Sequence, residues 1–533
     1  MKIKREYLIL IFISLIGVAL RTYLFLDKTF IGIDAVAYTR LGKNLIESGK
    51  YVFGENFNLG IWLPPGYPIL VGLINLFFDD LFLSGKIISL FFSIVSIFLF
   101  YLIGKELNNK EAGLFSAFAY AIYPTKIIER TLEVHTEGFF FCFLFFSIYL
   151  FIVLLKRNNF FIYILLGISI GISYLTRPEG LFLLLLPLLT LFKSNPLRNE
   201  SNEKRVFKVC VTFVIFILIV SPYLLFLKQS TGRLTLSGKA NTVILAGEEI
   251  NLKSMKDYDR TMYSLNKDKT QLRAFELSRV SIINYIFKNP ASFTKRFLKN
   301  VRSEMQYLSI LLIPIMLPLF FSFFSEDLFK KKDRLILLLF SFLFGGLYSL
   351  FFVIERYMFP IALFLILFSS IGFVNSQSAL SNILNFYKIK RNKITLFLEK
   401  HIKYIIIIVL ILSSFLYYTV FRPEAEIPTE HIKTGYFLKN NISLGYEKLN
   451  IMSRMPWVSF YSDSRFTYLP YANYTDVVNF AKLYHVDYIV VDERLLSEWD
   501  YYDELFNMEK YSVDVKLIYE DNSRKLIKMF KVK

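Results

Sequence analysis

The sequence predicts a polytopic α-helical membrane protein with a small α/β domain at its C-terminal end. Three observations predict it. Of the 533 residues, 54% are apolar. They fall in runs of about 20, the length that crosses a hydrocarbon core as a helix. After Phe421 the composition turns polar and charged, and no further run follows.

The runs place about eleven spans, at 7 to 26, 84 to 104, 111 to 123, 137 to 155, 160 to 175, 179 to 192, 208 to 227, 304 to 324, 335 to 353, 357 to 374 and 403 to 421. The runs 111 to 123 and 179 to 192 are short for a full crossing. The first follows Lys2, Lys4 and Arg5, is too long for a signal-peptide core and lacks a small-x-small cleavage site, so it reads as an uncleaved anchor with a cytoplasmic N-terminus. Cys142 and Cys210 both lie inside apolar runs, which leaves neither a disulfide framework nor a cysteine zinc site.

A net charge of +18 raises nucleic acid as a partner, and the placement of the charges argues against it. Lys156 and Arg157, then Lys193, Arg198, Lys204, Arg205 and Lys208, then Lys330, Lys331, Lys332 and Arg334, then Lys388, Lys390, Arg391, Lys393, Lys400 and Lys403 sit in short loops between spans. That is the positive-inside pattern of cytoplasmic loops. It is kept only if the apolar segment 66 to 80 does not cross, so that segment is expected to be re-entrant or surface-lying. The division expected is a membrane domain, 1 to 421, with external loops 27 to 83 and 229 to 303, and a soluble extracytoplasmic α/β domain, 422 to 533.

Within the C-terminal part, VVNFAKLYHV has helical spacing, DYIVVDER reads as a short buried strand, and KLIYEDNSRKLIKMFKV reads as two strands around a polar turn. Asn441-Ile-Ser and Asn473-Tyr-Thr are glycosylation triplets of a kind frequent by chance. In the 229 to 303 loop, RAFELSRVSIINYIF and PASFTKRFLKNV have amphipathic spacing and are expected along the membrane surface.

This topology collects Asp34, Lys126, Glu129, Arg130, Glu133, His135, Glu137, Arg177, Glu179, Glu355 and Arg356 at the outer ends of spans. Charges at mid-membrane would suggest an ion pathway. Charges at one face suit a site that meets a lipid and an aqueous substrate together. Glu133, His135 and Glu137 offer donors suited to a divalent metal, with a solvated turn as the other reading. The Phe-rich run 139 to 146 is expected to face lipid.

The order GIDAVAY, WLPPGYPIL, ERTLEVHTEGFF, YLTRPEGLFLLLLP, SPYLLFLKQSTGRLTLSGK, IERYMFPIALFL resembles the C-type (GT-C) membrane glycosyltransferases, the superfamily of protein O-mannosyltransferases and lipid A aminoarabinose transferases. The resemblance covers roughly 1 to 375. It implies a polyprenyl-phosphate-sugar donor and a catalytic acid in the first external loop, matched by Asp34. In the mannosyltransferases a glutamate usually follows that acid; here Ala35 does, so a double-acid site is not supported. A carboxylate near an acceptor hydroxyl can take its proton as the oxygen attacks the anomeric carbon. The other reading of Asp34 is a cap on a helix starting near Ala35.

A leaving lipid phosphate gains negative charge, which a preorganised cation stabilises. Arg356, whose IERYMFP context resembles the family's arginine-tyrosine motif, stands first, then Arg177 and Arg130. Each could instead anchor a helix end by snorkelling. Glu137 best matches the family's second acidic position, with Glu133 next to it. Lys239 is either a further phosphate contact or an ordinary loop lysine. The reading is an inverting glycosyltransferase in the cell membrane that moves a sugar from a polyprenyl-phosphate carrier to a protein, lipid or glycan acceptor at the outer face. The rival is a lipid-linked glycan transporter or flippase, which would show internal repeats and broken spans.

Overall fold

The computed structural model describes residues 4–157, 159–191, 201–240, 255–274, 286–324, 331–351, 353–424, 426–442, 448–511 and 513–533. The chain divides into two compact units. One comprises Met1–Thr29, Gly85–Tyr223 and Asn300–Pro423, and the other Phe30–Ser84, Leu224–Lys299 and Glu424–Lys533.

Six helices among the described residues are long and apolar enough to cross a membrane: Arg5–Asp27, Leu81–Leu107, Thr136–Lys156, Asn202–Thr231, Glu355–Phe386 and Lys393–Phe421. A seventh crossing counts if the pair Pro290–Leu311 and Ile313–Phe323, bent by 59° at its break, is one span. The other expected spans are shorter: Lys110–Ala121 has 12 residues, Phe160–Thr176 has 17 and Lys332–Ser349 has 18. The run 179 to 192 forms a 3-10 turn, Pro178–Leu184, and a five-residue helix, Leu185–Leu189. The protein is an integral membrane protein, with the apolar side chains Phe12, Leu15, Phe91, Leu218 and Phe415 left exposed for lipid.

In the first unit the shortness of Lys110–Ala121 has a physical accompaniment. A helix leaves its last carbonyls without intrahelical partners, and in a membrane water cannot serve them. Arg21, fully buried within the first span, donates to Ala121 O at 2.9 Å, Tyr120 O at 3.3 Å and Ser93 Oγ at 2.8 Å. At the break of the bent pair, Tyr123 Oη donates to Leu311 O at 2.7 Å. The Phe-rich run does not face lipid: Phe139, Phe140, Phe141 and Phe145 are buried. The helix Thr136–Lys156 is enclosed by its neighbours, with Phe92 against Phe139, and Phe100 and Phe364 against Phe145.

The second unit holds a five-stranded sheet, β1 (Asn450–Ser453), β2 (Arg465–Tyr468), β3 (Tyr488–Asp492), β4 (Val515–Asp521) and β5 (Ile527–Val532), in the order β2-β1-β3-β5-β4. β2, β1 and β3 are parallel; β5 and β4 close the sheet as an antiparallel hairpin. The helix expected in VVNFAKLYHV is Tyr474–Leu483, and the strand and the strand pair expected after it are β3, β4 and β5. The core gathers Leu438, Ile451, Val458, Tyr488, Val490, Ile527 and Met529. Asn473 accepts from the Asp476 N–H at 2.9 Å as the cap of Tyr474–Leu483.

The same unit takes in the two loops. Glu55 N–H donates to Phe466 O at 2.9 Å, and Asn56 exchanges two bonds with the backbone of Tyr468, so the first loop lines the edge of β2. Tyr471 N–H donates to Tyr263 O at 2.8 Å, and Lys269 pairs with Asp476. The segment expected not to cross forms the helix Gly66–Phe78, whose 13 residues reach about 20 Å, short of the ~30 Å hydrocarbon core. It packs on the helix Ile33–Ser48 where Gly42 and Gly72 meet; a Cβ on Gly42 would collide with Pro68 O. PASFTKRFLKNV opens the helix Pro290–Leu311, whereas most of RAFELSRVSIINYIF lies outside the described residues.

Candidate active site

In the first unit the ends of four apolar helices and one short helix converge. The turn after Arg5–Asp27 brings Lys28, the short helix Lys126–Leu132 brings Arg130 and Glu133, and the start of Thr136–Lys156 brings Glu137. The cap of Phe160–Thr176 brings Arg177, and the turn before Phe359–Phe386 brings Arg356.

Glu137 is the hub. Its side chain is fully buried, with Oε1 3.2 Å from Arg177 Nη1 and 3.7 Å from Arg130 Nε. Arg177 also holds Glu179 at 3.0 Å, and Glu133 pairs with Arg130 and, at 3.1 Å, with Lys28. Glu133 is held below the usual carboxylate range: burial works to raise it, but Arg130 and Lys28 pull it down. Lys28, Arg130 and Arg177 thus meet Glu133, Glu137 and Glu179 in one linked network, which Arg356 joins through His135.

His135 couples Arg356 to the hub. Arg356 Nη1 lies 3.2 Å from His135 Nε2. His135 Nδ1 accepts from the Thr136 N–H at 3.0 Å and contacts Glu137 Oε2. Tyr357 stacks on Tyr348 at 5.1 Å, and both guanidinium groups lie over the Tyr357 ring, Arg177 at 5.7 Å and Arg356 at 5.6 Å. Lys126 pairs with Glu355, and Glu129 with Arg422. The solvated turn expected around Glu133, His135 and Glu137 is instead a packed one: Glu133 ends one helix, Thr136 begins the next, and His135 and Glu137 are buried. Among the described residues no group of three or more His, Cys, Asp or Glu side chains could hold a metal ion.

Asp34 and Lys239 belong to the second unit. The helix begins at Ile33 with Gly32 as its cap and no side-chain cap bond, so Asp34 is not the cap but an exposed carboxylate in the first turn. The helix dipole favours negative charge there. Its charge acts on Tyr258, Tyr263 and Tyr468, whose phenols burial pushes above their ordinary range and Asp34 pushes further. They therefore remain neutral hydrogen-bond donors. Arg454 lies 4.0 Å over the Tyr263 ring and pairs with Asp259 at 2.8 Å, and Asp259 also accepts from Trp499 Nε1 at 3.0 Å. Lys239 is half-buried in a turn where Gly238 closes on Ile61 O.

Lys28, Tyr348 and the orienting role of His135 were not anticipated. Lys28 had one signal, a cation directly after an apolar run; Tyr348 had none, since it lies inside a run rich in aromatics.

Apolar helices that carry a charged cluster at their ends form one unit, and an α/β sheet that includes the first loop forms the other. The chain has the GT-C fold, and the sequence resemblance and the comparisons agree on that superfamily. Residues 63–226 match the family described as dolichyl-phosphate-mannose-protein mannosyltransferase. The oligosaccharyltransferase AglB from Archaeoglobus fulgidus, solved in complex with an inhibitory peptide and a dolichol-phosphate, is similar with a TM-score of 0.60 and 14% identity over 98% of this chain and 74% of that one. ArnT from Cupriavidus metallidurans, solved bound to undecaprenyl phosphate, is similar with a TM-score of 0.58 and 10% identity over 97% of both chains. No curated protein sequence matches the chain.

Proposed function

We propose that the protein is an inverting glycosyltransferase that takes a sugar from a polyprenyl-phosphate carrier and passes it to an acceptor hydroxyl or amide at the outer face of the cell membrane. The observation that carries the reading is the convergence of Arg130 and Arg177 on buried Glu137, with Arg356 joined to it through His135. AglB in complex with a dolichol-phosphate and ArnT bound to undecaprenyl phosphate share this fold, which supports a lipid-linked donor.

In the proposed step the acceptor atom attacks the anomeric carbon, the bond to the phosphate oxygen breaks, and Asp34 takes the acceptor's proton. One displacement inverts the anomeric centre. Arg356 and Arg177, with Arg130 behind them, stabilise the charge that grows on the leaving phosphate. Lys239 is a further phosphate contact, and Glu137 and Glu133 hold the cations in place. The outer face follows from the basic loops, and nucleotide sugars, confined to the cytoplasm, point to a lipid-linked donor. The membrane part spans 1 to 421, and the part from 422 to 533 contributes to acceptor binding.

The test is turnover by purified protein in lipid of a panel of polyprenyl-phosphate sugars, followed as carrier-phosphate release, for wild type and Asp34→Asn. Turnover that is lost in a folded mutant supports the reaction and the base together. Equal rates in both would remove Asp34 as base, and a protein that moves intact carrier between leaflets without consuming it would be the transporter instead.

A further inference from the structure

Asp34 stands three residues after Ile31, whose carbonyl is held by the C-terminal sheet domain. Ile31 is fully buried. Its carbonyl accepts from Trp457 Nε1 at 2.8 Å. Trp457 is itself fixed: its ring meets His431 edge-on at 5.2 Å, and His431 Nε2 lies 3.3 Å from Asp492 Oδ2 at the end of β3. A continuous line of contacts thus runs from the sheet through His431 and Trp457 to Ile31, two residues before the Asp34 helix begins.

A second attachment lies further along the same helix. Arg40, 6% exposed, donates from Nη2 to Ser459 O at 3.2 Å and Phe460 O at 3.0 Å, and its Nη1 pairs with Asp463. Those carbonyls belong to the short helix Trp457–Tyr461. One guanidinium therefore ties the end of one element to another and restrains its rotation. Rotation of an α-helix by one residue swings a side chain by about 100°, so the two attachments together set the direction in which Asp34 projects.

We infer that Trp457 and Arg40 are positioning residues for Asp34, so that the C-terminal domain sets the placement of the base in addition to any contact it makes with an acceptor. The inference rests on the reading of Asp34 as base. It assigns neither residue a contact with substrate. Displacement of a reacting group by about 1 Å costs on the order of a hundredfold in rate, so loss of one attachment is expected to lower turnover by roughly ten- to a hundredfold with donor KM changed less than about twofold.

Trp457→Phe keeps a ring against His431 and removes the indole donor; Arg40→Lys keeps the charge beside Asp463 and loses the bonds to the two carbonyls. Each is measured in the full chain in lipid, alone and combined with Asp34→Asn. The expected kinetics are a fall in kcat for each variant in the wild-type background and no further fall in the residual rate of the Asp34→Asn background. Equal fractional losses in both backgrounds would overturn the inference while leaving the glycosyltransferase reading in place. Hydrogen exchange gives a readout free of catalysis. Amides of 31–40 are expected to exchange about tenfold faster in either variant, with the amides of β3 and β5 unchanged. Exchange at the wild-type rate in both variants would overturn the inference whatever the enzyme's substrate, whereas absence of turnover by wild type would overturn the reaction alone.

Discussion

Glu137→Gln separates two roles that a buried acid in the charged cluster can have. The substitution keeps volume and an acceptor oxygen and removes one negative charge. Breaking a buried ion pair costs about 3–5 kcal/mol when a partner is stranded. Here Arg177 keeps Glu179 at 3.0 Å and Arg130 keeps Glu133, so the stability loss is expected at or below the lower end of that range. The net charge of the cluster becomes more positive by one. For charges about 8 Å apart at an effective dielectric of ~20, Coulomb's law gives about 2 kcal/mol, which screening reduces toward a factor of about ten in affinity. Glu137→Gln is thus expected to lower Tm by several degrees and to bind undecaprenyl phosphate roughly tenfold more tightly, read by thermal shift and by native mass spectrometry or thermophoresis in detergent. A folded Glu137→Gln protein that binds the phosphate more weakly than wild type would refute the hub role and make Glu137 a direct contact for the donor.

Arg356→Lys retains a cation but not the planar fork, and is expected to lower kcat with a lipid-linked donor by about 10²–10³, the loss typical of removing one preorganised donor to a developing anion; a loss in KM alone would assign Arg356 to ground-state binding. Gly42→Val places side-chain atoms against Pro68 O and the backbone of Gly72, and overpacking of about 1–3 kcal/mol should appear as a lowered Tm; an unchanged Tm would deny the close helix crossing. Burial works to raise the Asp463 carboxyl, but Arg40, Lys43 and Lys448 hold it down at about 2. Because the folded value is depressed, its contribution is complete above the ordinary carboxylate value of about 4 and is lost as pH falls from there towards 2. The Tm gap between wild type and Asp463→Asn should therefore stay constant from pH 8 to 5 and narrow below pH 4, and a gap that widens on acidification would contradict the pairing.

What could be read from the sequence was what is local in it. The six long helices, β3 and the final hairpin each announce themselves within a window of a few residues, through continuous apolar character or alternation about a polar turn. The charged residues at helix ends were legible for the same reason, since a charge that ends an apolar run stands out. Shortness and breakage were less so. Nothing in the run 111 to 123 shows that its helix stops at Ala121, because the group that serves the freed carbonyls is Arg21, a hundred positions earlier. An arginine inside an apolar run was the one available sign of a buried polar partner.

The least legible feature is the membership of the second unit. Arg40 and Asp463 are 423 positions apart, and Trp457 and Ile31 are 426 apart. Each is unremarkable in its own window: an arginine within a polar amphipathic helix, a tryptophan after a proline. The change of composition at Phe421 marks where apolar spans end, a property of solvent, and solvent exposure does not say which segments fold together. The two long loops fold into this unit with the sheet. They gain order by lending backbone partners to a sheet whose edge strand, β2, would otherwise present unpaired groups. The bond from Glu55 to Phe466 and the pair between Asn56 and Tyr468 serve that edge. The loop that carries Asp34 and the sheet edge thus satisfy each other, and a soluble domain placed after the last span by sequence becomes, in structure, the support of the first loop.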